Sequence, residues 1–184
     1  MTYEIDIAGL KRELPICKVT DDLYIGAFVI FGDVELTVHC AAELLKRAPE
    51  YDYIIAPEAK AIPLAYEMAR QSGSNRYFVA RKKAKAYMTG IHEVTVKSIT
   101  TDGEQKLILD SADAELIKGK RMLLIDDVIS TGESIRALEE LVISCGGTVA
   151  GRMAPLAEGD AEDRSDIICL APLPLFNPDG TVKE

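Results

Sequence analysis

Tryptophan is absent from this 184-residue chain, and histidine (2), phenylalanine (4) and cysteine (4) are scarce. Cys17, Cys40, Cys145 and Cys169 form no C-x-x-C pair, and their possible imidazole partners are only His39 and His92. Zinc-ligand spacing and a disulfide framework are therefore excluded, and the cysteines read as free thiols. Long apolar runs are also missing. None approaches the roughly 20 residues of a membrane helix, so no membrane partner is expected. The N-terminus MTYEIDIAGLKRELPI carries acids early, with no apolar stretch behind a basic start. It does not read as a signal peptide, and the expected location is cytoplasmic. Positive charge is in short supply too: 21 Lys and Arg stand against 30 Asp and Glu, a net charge of −9. This excludes nucleic acid as a bulk electrostatic partner, and any anion must be met by a local cluster of cations.

What is present is the composition of an ordinary soluble globular protein, 48% hydrophobic and 28% charged, at a length that suits one domain over 1–184. Residues 52–56, 77–80, 121–125, 147–150 and 167–170 are short apolar runs of the kind buried on both faces of a parallel sheet. Helical spacing lies between several of them. Behind Asp33 as N-cap, Val34, Val38, Ala41, Ala42 and Leu45 form a stripe that Pro49 closes. A second helix runs from Ile62 to Ser72 and stops at Gly73, and a third carries Ile135, Leu138, Leu141, Val142 and Cys145 before Gly146-Gly147. The alternation predicts an α/β fold with a doubly wound, mostly parallel sheet. Residues 82–120 break the rhythm: His92 to Ile99 alternates as a strand, Asp102-Gly103 signals a turn, and Lys106 to Asp110 returns. An antiparallel flap inserted at about 82–110 is expected, as is a small cap from about 1–30 and 172–184.

The strongest chemical signal is RMLLIDDVISTGESIRAL, residues 121–138. A buried strand runs into two acids, a small polar loop and a helix. At the carboxyl end of a parallel strand Asp126 and Asp127 project into the crevice where open α/β sheets bind ligands, and adjacent carboxylates there can accept from a vicinal diol. Ser130, Thr131, Gly132, Glu133 and Ser134 bring backbone N–H groups and hydroxyls to a helix N-terminus, which favours a phosphate monoester. STGES alone would equally serve as a helix cap. The preceding acid pair favours the phosphate reading, and neither a P-loop nor a G-x-G-x-x-G motif competes with it.

This string resembles the signature of type I phosphoribosyltransferases, which bind phosphoribosyl pyrophosphate (PRPP). By that resemblance Asp126 and Asp127 hold the ribose hydroxyls, and residues 130–134 cradle the 5′-phosphate. APEAKA, residues 56–61, is similar to the pyrophosphate loop of the adenine and xanthine enzymes, which assigns Glu58, Ala59 and Lys60 to PRPP; Ala61 replaces the usual glycine. VARKKAKAYM, residues 79–88, is similar to the basic stretch at the root of their flap and assigns Arg81, Lys82 and Lys85 to pyrophosphate.

The resemblance implies a Mg2+-dependent pentosyltransferase that joins the phosphoribosyl group to a purine-like base and works as a homodimer. Mg2+ is expected to be held mainly through PRPP and water, with no direct protein ligand. Glu93 stands near the flap glutamate of the adenine enzymes and is the candidate for proton transfer at the base. Phe28 and Glu158 are the candidate base contacts, and the acid at 158 favours an amino-bearing purine. A PRPP- or nucleotide-sensing regulator with the same fold and no catalysis is the alternative.

Overall fold

The computed structural model describes residues 1–97 and 104–183. In chain order the elements are β1 (Thr2–Ile7), β2 (Leu10–Lys18), β3 (Tyr24–Gly26), α1 (Val34–Arg47), β4 (Tyr53–Pro57), α2 (Ile62–Gln71) and β5 (Phe78–Ala80). They continue with β6 (Ile91–Lys97), β7 (Glu104–Asp110), α3 (Ser111–Ile117), β8 (Arg121–Ile125), β9 (Val128–Ile129) and α4 (Glu133–Ser144). β10 (Thr148–Glu158), a 3-10 turn over Gly159–Asp163, β11 (Ile168–Leu173) and β12 (Leu175–Phe176) complete the described chain. No helix among the described residues is long and apolar enough to cross a membrane.

The central sheet runs in the order β11-β10-β8-β4-β5, with β9 also on β10, and every pairing in it is parallel. Strand alternation divides its side chains between two cores. Ile54, Ala56, Leu123 and Ile125 pack with α1 and α2. Ile55, Met122 and Leu124 pack with α3 and α4. The chain leaves β4 toward β5 through α2 and then crosses to β8 on the other side of β4. The strand order therefore reverses between β4 and β8, and ligands bind open α/β sheets at the carboxyl ends of such a switch point. The termini form the expected cap, an antiparallel sheet in the order β1-β2-β3-β12.

One expectation needs correction. The buried face of α1 is Leu36, Thr37, Cys40, Ala41 and Leu44, while Val34 is 74% exposed. This helix is apolar around much of its girth, so periodicity alone does not select which stripe meets α2 and the sheet. The inserted antiparallel segment is present, and its second strand is seated on the core. β6 and β7 pair from Ile91↔Asp110 to Lys97↔Glu104, and Leu107, Ile108 and Leu109 are all about 1% exposed. Leu107 and Leu109 belong to the second core, and Ile108 is bridged to Arg81 by two backbone hydrogen bonds of 2.8 Å. The predicted turn at Asp102-Gly103 lies outside the described residues. Past the hairpin the chain forms α3, and Asp110 caps it by accepting from the Ala112 N–H.

β10 extends well past its apolar start because Arg152 and Pro155 interrupt the hydrophobic run without ending the strand. Pro155 falls between the last pair with β8, Met153↔Ile125, and the first with β9, Leu156↔Val128. A residue that cannot donate is tolerated where the ladder is already broken.

Candidate active site

The site begins at the carboxyl end of β8. Asp126 and Asp127 are 7% and 6% exposed. The Asp126 N–H donates to the Met153 carbonyl at 3.0 Å, and the Asp127 N–H donates to Asp126 Oδ1 at 2.9 Å. A second carboxylate beside so dry a group opposes the ionisation of Asp126. Burial, and after it the charge of Asp127, pushes Asp126 up to about 7. Asp127 Oδ2 is buried with no hydrogen-bond partner, and Lys60 Nζ lies 3.5 Å from it. It is an acceptor prepared for a donor.

The chain then passes through β9 into the loop of residues 130–134 and α4. With Asp126, Val128, Ile129 and Ile135 this loop lines a hollow of about 130 Å³. That is well under the ~300 Å³ of pockets that enclose a whole small ligand, so it suits a single ionic group. Gly132 stands at the α4 N-cap with φ +81°, a left-handed conformation that favours glycine.

Across the switch point, β4 leads into Glu58, Ala59, Lys60 and Ala61 at the α2 N-terminus. Ala59 and Lys60 are exposed. Ala61, at the position of the family glycine, has φ −77° and is fully buried in the first core. Its methyl faces the core, and its backbone does not require glycine. Glu58 does not offer its carboxylate to an anion. Its Oε2 accepts from the Lys82 backbone N–H at 3.1 Å, and its Oε1 lies 3.2 Å from Arg81 Nη2. The Lys82 N–H first, and then the charges of Arg81, Lys85 and Lys82, hold Glu58 below the usual carboxylate range. Glu58 thus gathers the cations of the basic stretch beside the loop that carries Lys60.

The remaining candidates are dispersed. Glu93 sits on β6, with its carboxylate 2.6 Å from Lys106 Nζ across the hairpin. Phe28 is 5% exposed within the first core, so packing accounts for it and its expected role as a base contact loses its support. The exposed aromatic ring of that stretch belongs to Phe31, at 49%. Glu158 is half-buried at the carboxyl end of β10, one residue beyond the Ala157↔Ile129 pair. Sequence reasoning missed Arg164, whose guanidinium packs against Gly132. The residue lies in the polar stretch EGDAEDRSD and carries no local motif.

The described residues hold no group of three or more metal-ligating side chains. The acid pair and cradle on one side of the switch point face a lysine and a cation cluster on the other. Such an arrangement is chemically suited to a sugar phosphate carrying a second anionic group.

Residues 37–171 match the model of the phosphoribosyl transferase domain. The chain belongs to that family. Among curated proteins it is 28% identical to an adenine phosphoribosyltransferase of Petrotoga mobilis, over 85% of this chain and 83% of that protein. It is 32% identical to an orotate phosphoribosyltransferase of Caldanaerobacter subterraneus, over 79% of this chain and 63% of that one. Among solved structures, adenine phosphoribosyltransferase from Thermoanaerobacter pseudethanolicus superposes with a TM-score of 0.63 at 24% identity, covering 78% of this chain and 84% of that one. This phosphoribosyltransferase is accordingly a PRPP-dependent pentosyltransferase with the α/β fold that its sequence predicts.

Proposed function

We propose that this phosphoribosyltransferase transfers the phosphoribosyl group of PRPP to an amino-bearing purine of the adenine type, giving the nucleoside monophosphate and pyrophosphate. The supporting observation is the 3.5 Å approach of Lys60 to Asp127, which joins the two halves of the site across the switch point. A diol at the acid pair places the anomeric carbon between the carboxylates and the cations. The base nitrogen attacks that carbon, the bond to the pyrophosphate oxygen breaks, and its electron pair leaves with pyrophosphate. The sugar passes through an oxocarbenium-like state, as in glycoside transfer. Asp126 and Asp127 stabilise the cationic sugar while Lys60, Arg81, Lys82 and Lys85 receive the growing negative charge.

The N–H proton of the attacking base leaves in the same step. Glu93 is the candidate acceptor and must first give up Lys106. Bound Mg2+ would neutralise charge on the pyrophosphate. The unpartnered Asp127 Oδ2 suits a hydroxyl or a water of a hydrated ion, consistent with Mg2+ carried by substrate and water. The adenine reading rests on Glu158, which can accept from an exocyclic amine at the end of β10. Two copies of the chain are expected to assemble as a dimer.

The test is incubation with PRPP, Mg2+ and a panel of adenine, hypoxanthine, xanthine and orotate, reading pyrophosphate release and the nucleotide formed. Adenosine monophosphate is expected. Turnover of xanthine or orotate with none of adenine overturns the base assignment.

A further inference from the structure

A methyl group added to Gly132 would lie 2.2 Å from Arg164 Nη1 and 3.4 Å from its Cζ. The guanidinium therefore lies directly on the α-carbon at the centre of the phosphate cradle, on a loop remote from it in sequence. Arg164 is fixed there from two sides. Its backbone N–H donates to the Ala161 carbonyl at 3.2 Å, closing the 3-10 turn. Its Nε and Nη2 form a bidentate pair with Asp166 at 3.0 and 2.8 Å. That pairing occupies one edge of the planar fork and leaves Nη1 directed at Gly132.

The surroundings single out this nitrogen. Behind the cradle, Arg136, Arg152, Arg164, Glu139 and Asp166 line a cavity of about 420 Å³ that shares Thr131, Gly132 and Glu133 with the phosphate hollow. Arg152 is held bidentately by Glu139 at 2.9 and 2.6 Å, and Arg136 lies 3.3 Å from Glu140. Arg164 Nη1 makes no protein hydrogen bond among the described residues.

We infer that Arg164 is a positioning residue for the 5′-phosphate: it braces the left-handed turn at Gly132 from behind and adds positive charge to the cradle. The inference rests on the reading of residues 130–134 as the phosphate cradle. Because Asp166 lies on the far edge of the guanidinium, the pair presents its positive end to the loop, adding to the partial charge of the α4 N-terminus. Substrate and transition state carry the same 5′-phosphate. Loss of Arg164 therefore acts on binding and leaves the chemical step nearly unchanged.

The experiment is calorimetry of ribose 5-phosphate and, separately, of pyrophosphate with the wild type, Arg164→Met and Arg164→Lys, together with PRPP kinetics. Arg164→Met is expected to weaken ribose 5-phosphate about tenfold or more, the scale of a charged interaction, while changing pyrophosphate affinity less than about twofold. KM for PRPP rises with little change in kcat, and Arg164→Lys recovers part of the loss. Undiminished ribose 5-phosphate affinity in Arg164→Met overturns the inference. So does an equal loss of pyrophosphate affinity, which marks general damage, or a lysine variant no better than methionine. If wild type binds ribose 5-phosphate and Arg164→Met does not, yet no base supports pyrophosphate release, the inference stands and the transferase reading falls.

Discussion

Lys60 and Asp127 form a 3.5 Å ion pair between the β4–α2 loop and the end of β8, with the lysine side chain 56% exposed and the aspartate 9%. On the proposed function, the cation assigned to pyrophosphate pairs in the free protein with an acid assigned to ribose. PRPP binding would then exchange these partners, the diol satisfying Asp127 and the pyrophosphate taking Lys60. Lys60→Met is expected to weaken pyrophosphate roughly tenfold while leaving ribose 5-phosphate within about threefold of wild type. Isothermal titration with each ligand checks this, and equal losses for both would show that Lys60 serves the whole site.

Asp127→Asn leaves an amide that offers one acceptor oxygen where the buried carboxylate offered two. PRPP and ribose 5-phosphate are expected to bind about 10- to 150-fold more weakly, the span of one charged hydrogen bond. Unaltered ribose 5-phosphate affinity would remove the acid pair from the sugar site.

Asp126 carries a pH signature. Its folded value of about 7 lies above the unfolded one, so the native state binds the proton more tightly between pH ~4 and ~7. Its contribution to unliganded stability is therefore greatest below pH ~4 and falls as pH rises toward about 7. Ribose hydroxyls donate to the ionised form, so ribose 5-phosphate affinity rises over the upper part of that window. Asp126→Asn abolishes both trends, and the ligand's own phosphate titration cancels in the comparison. Matching affinity profiles for wild type and variant from pH ~5.5 to ~8 would rule out a charged role for Asp126.

The β6–β7 hairpin owes its position to a buried strand. Leu109→Ala is expected to cost about 2–5 kcal/mol, as core truncations do, measured by chemical denaturation. The amides of Arg81 and Ile108 should exchange slowly because they bond each other's carbonyls. A loss near zero, or rapid exchange at both, would mean that the hairpin detaches freely.

How much of this could be read in advance follows the range of the interactions. The β8–α4 segment was legible because strand, acids, cradle and helix are contiguous in sequence, and each residue type has a local reason to be there. Asp33 as a cap and the apolar face of α4 were legible for the same reason. The burial of Leu107 and Leu109 was not, since a short strand with one polar neighbour reads alike whether it covers a core or faces water. Glu58 was recognised by position but not by role, because its work is done on Arg81 and the Lys82 backbone in another loop. Arg164 escaped for want of any periodic or motif relation to Gly132.

Pro155 gives the central sheet a dropped stitch. Strand alternation turns residues 153 and 155 toward the same neighbour; the Met153 carbonyl takes the Asp126 N–H there, but Pro155 has no hydrogen to give in return. The parallel ladder stops for two residues between Ile125 and Val128 and then resumes. The two aspartates stand in that gap. A residue that could donate at 155 would offer the sheet a reason to zip straight through the place where the two buried carboxylates now stand. The imino acid on the neighbouring strand thereby helps keep open a mouth it need not itself touch.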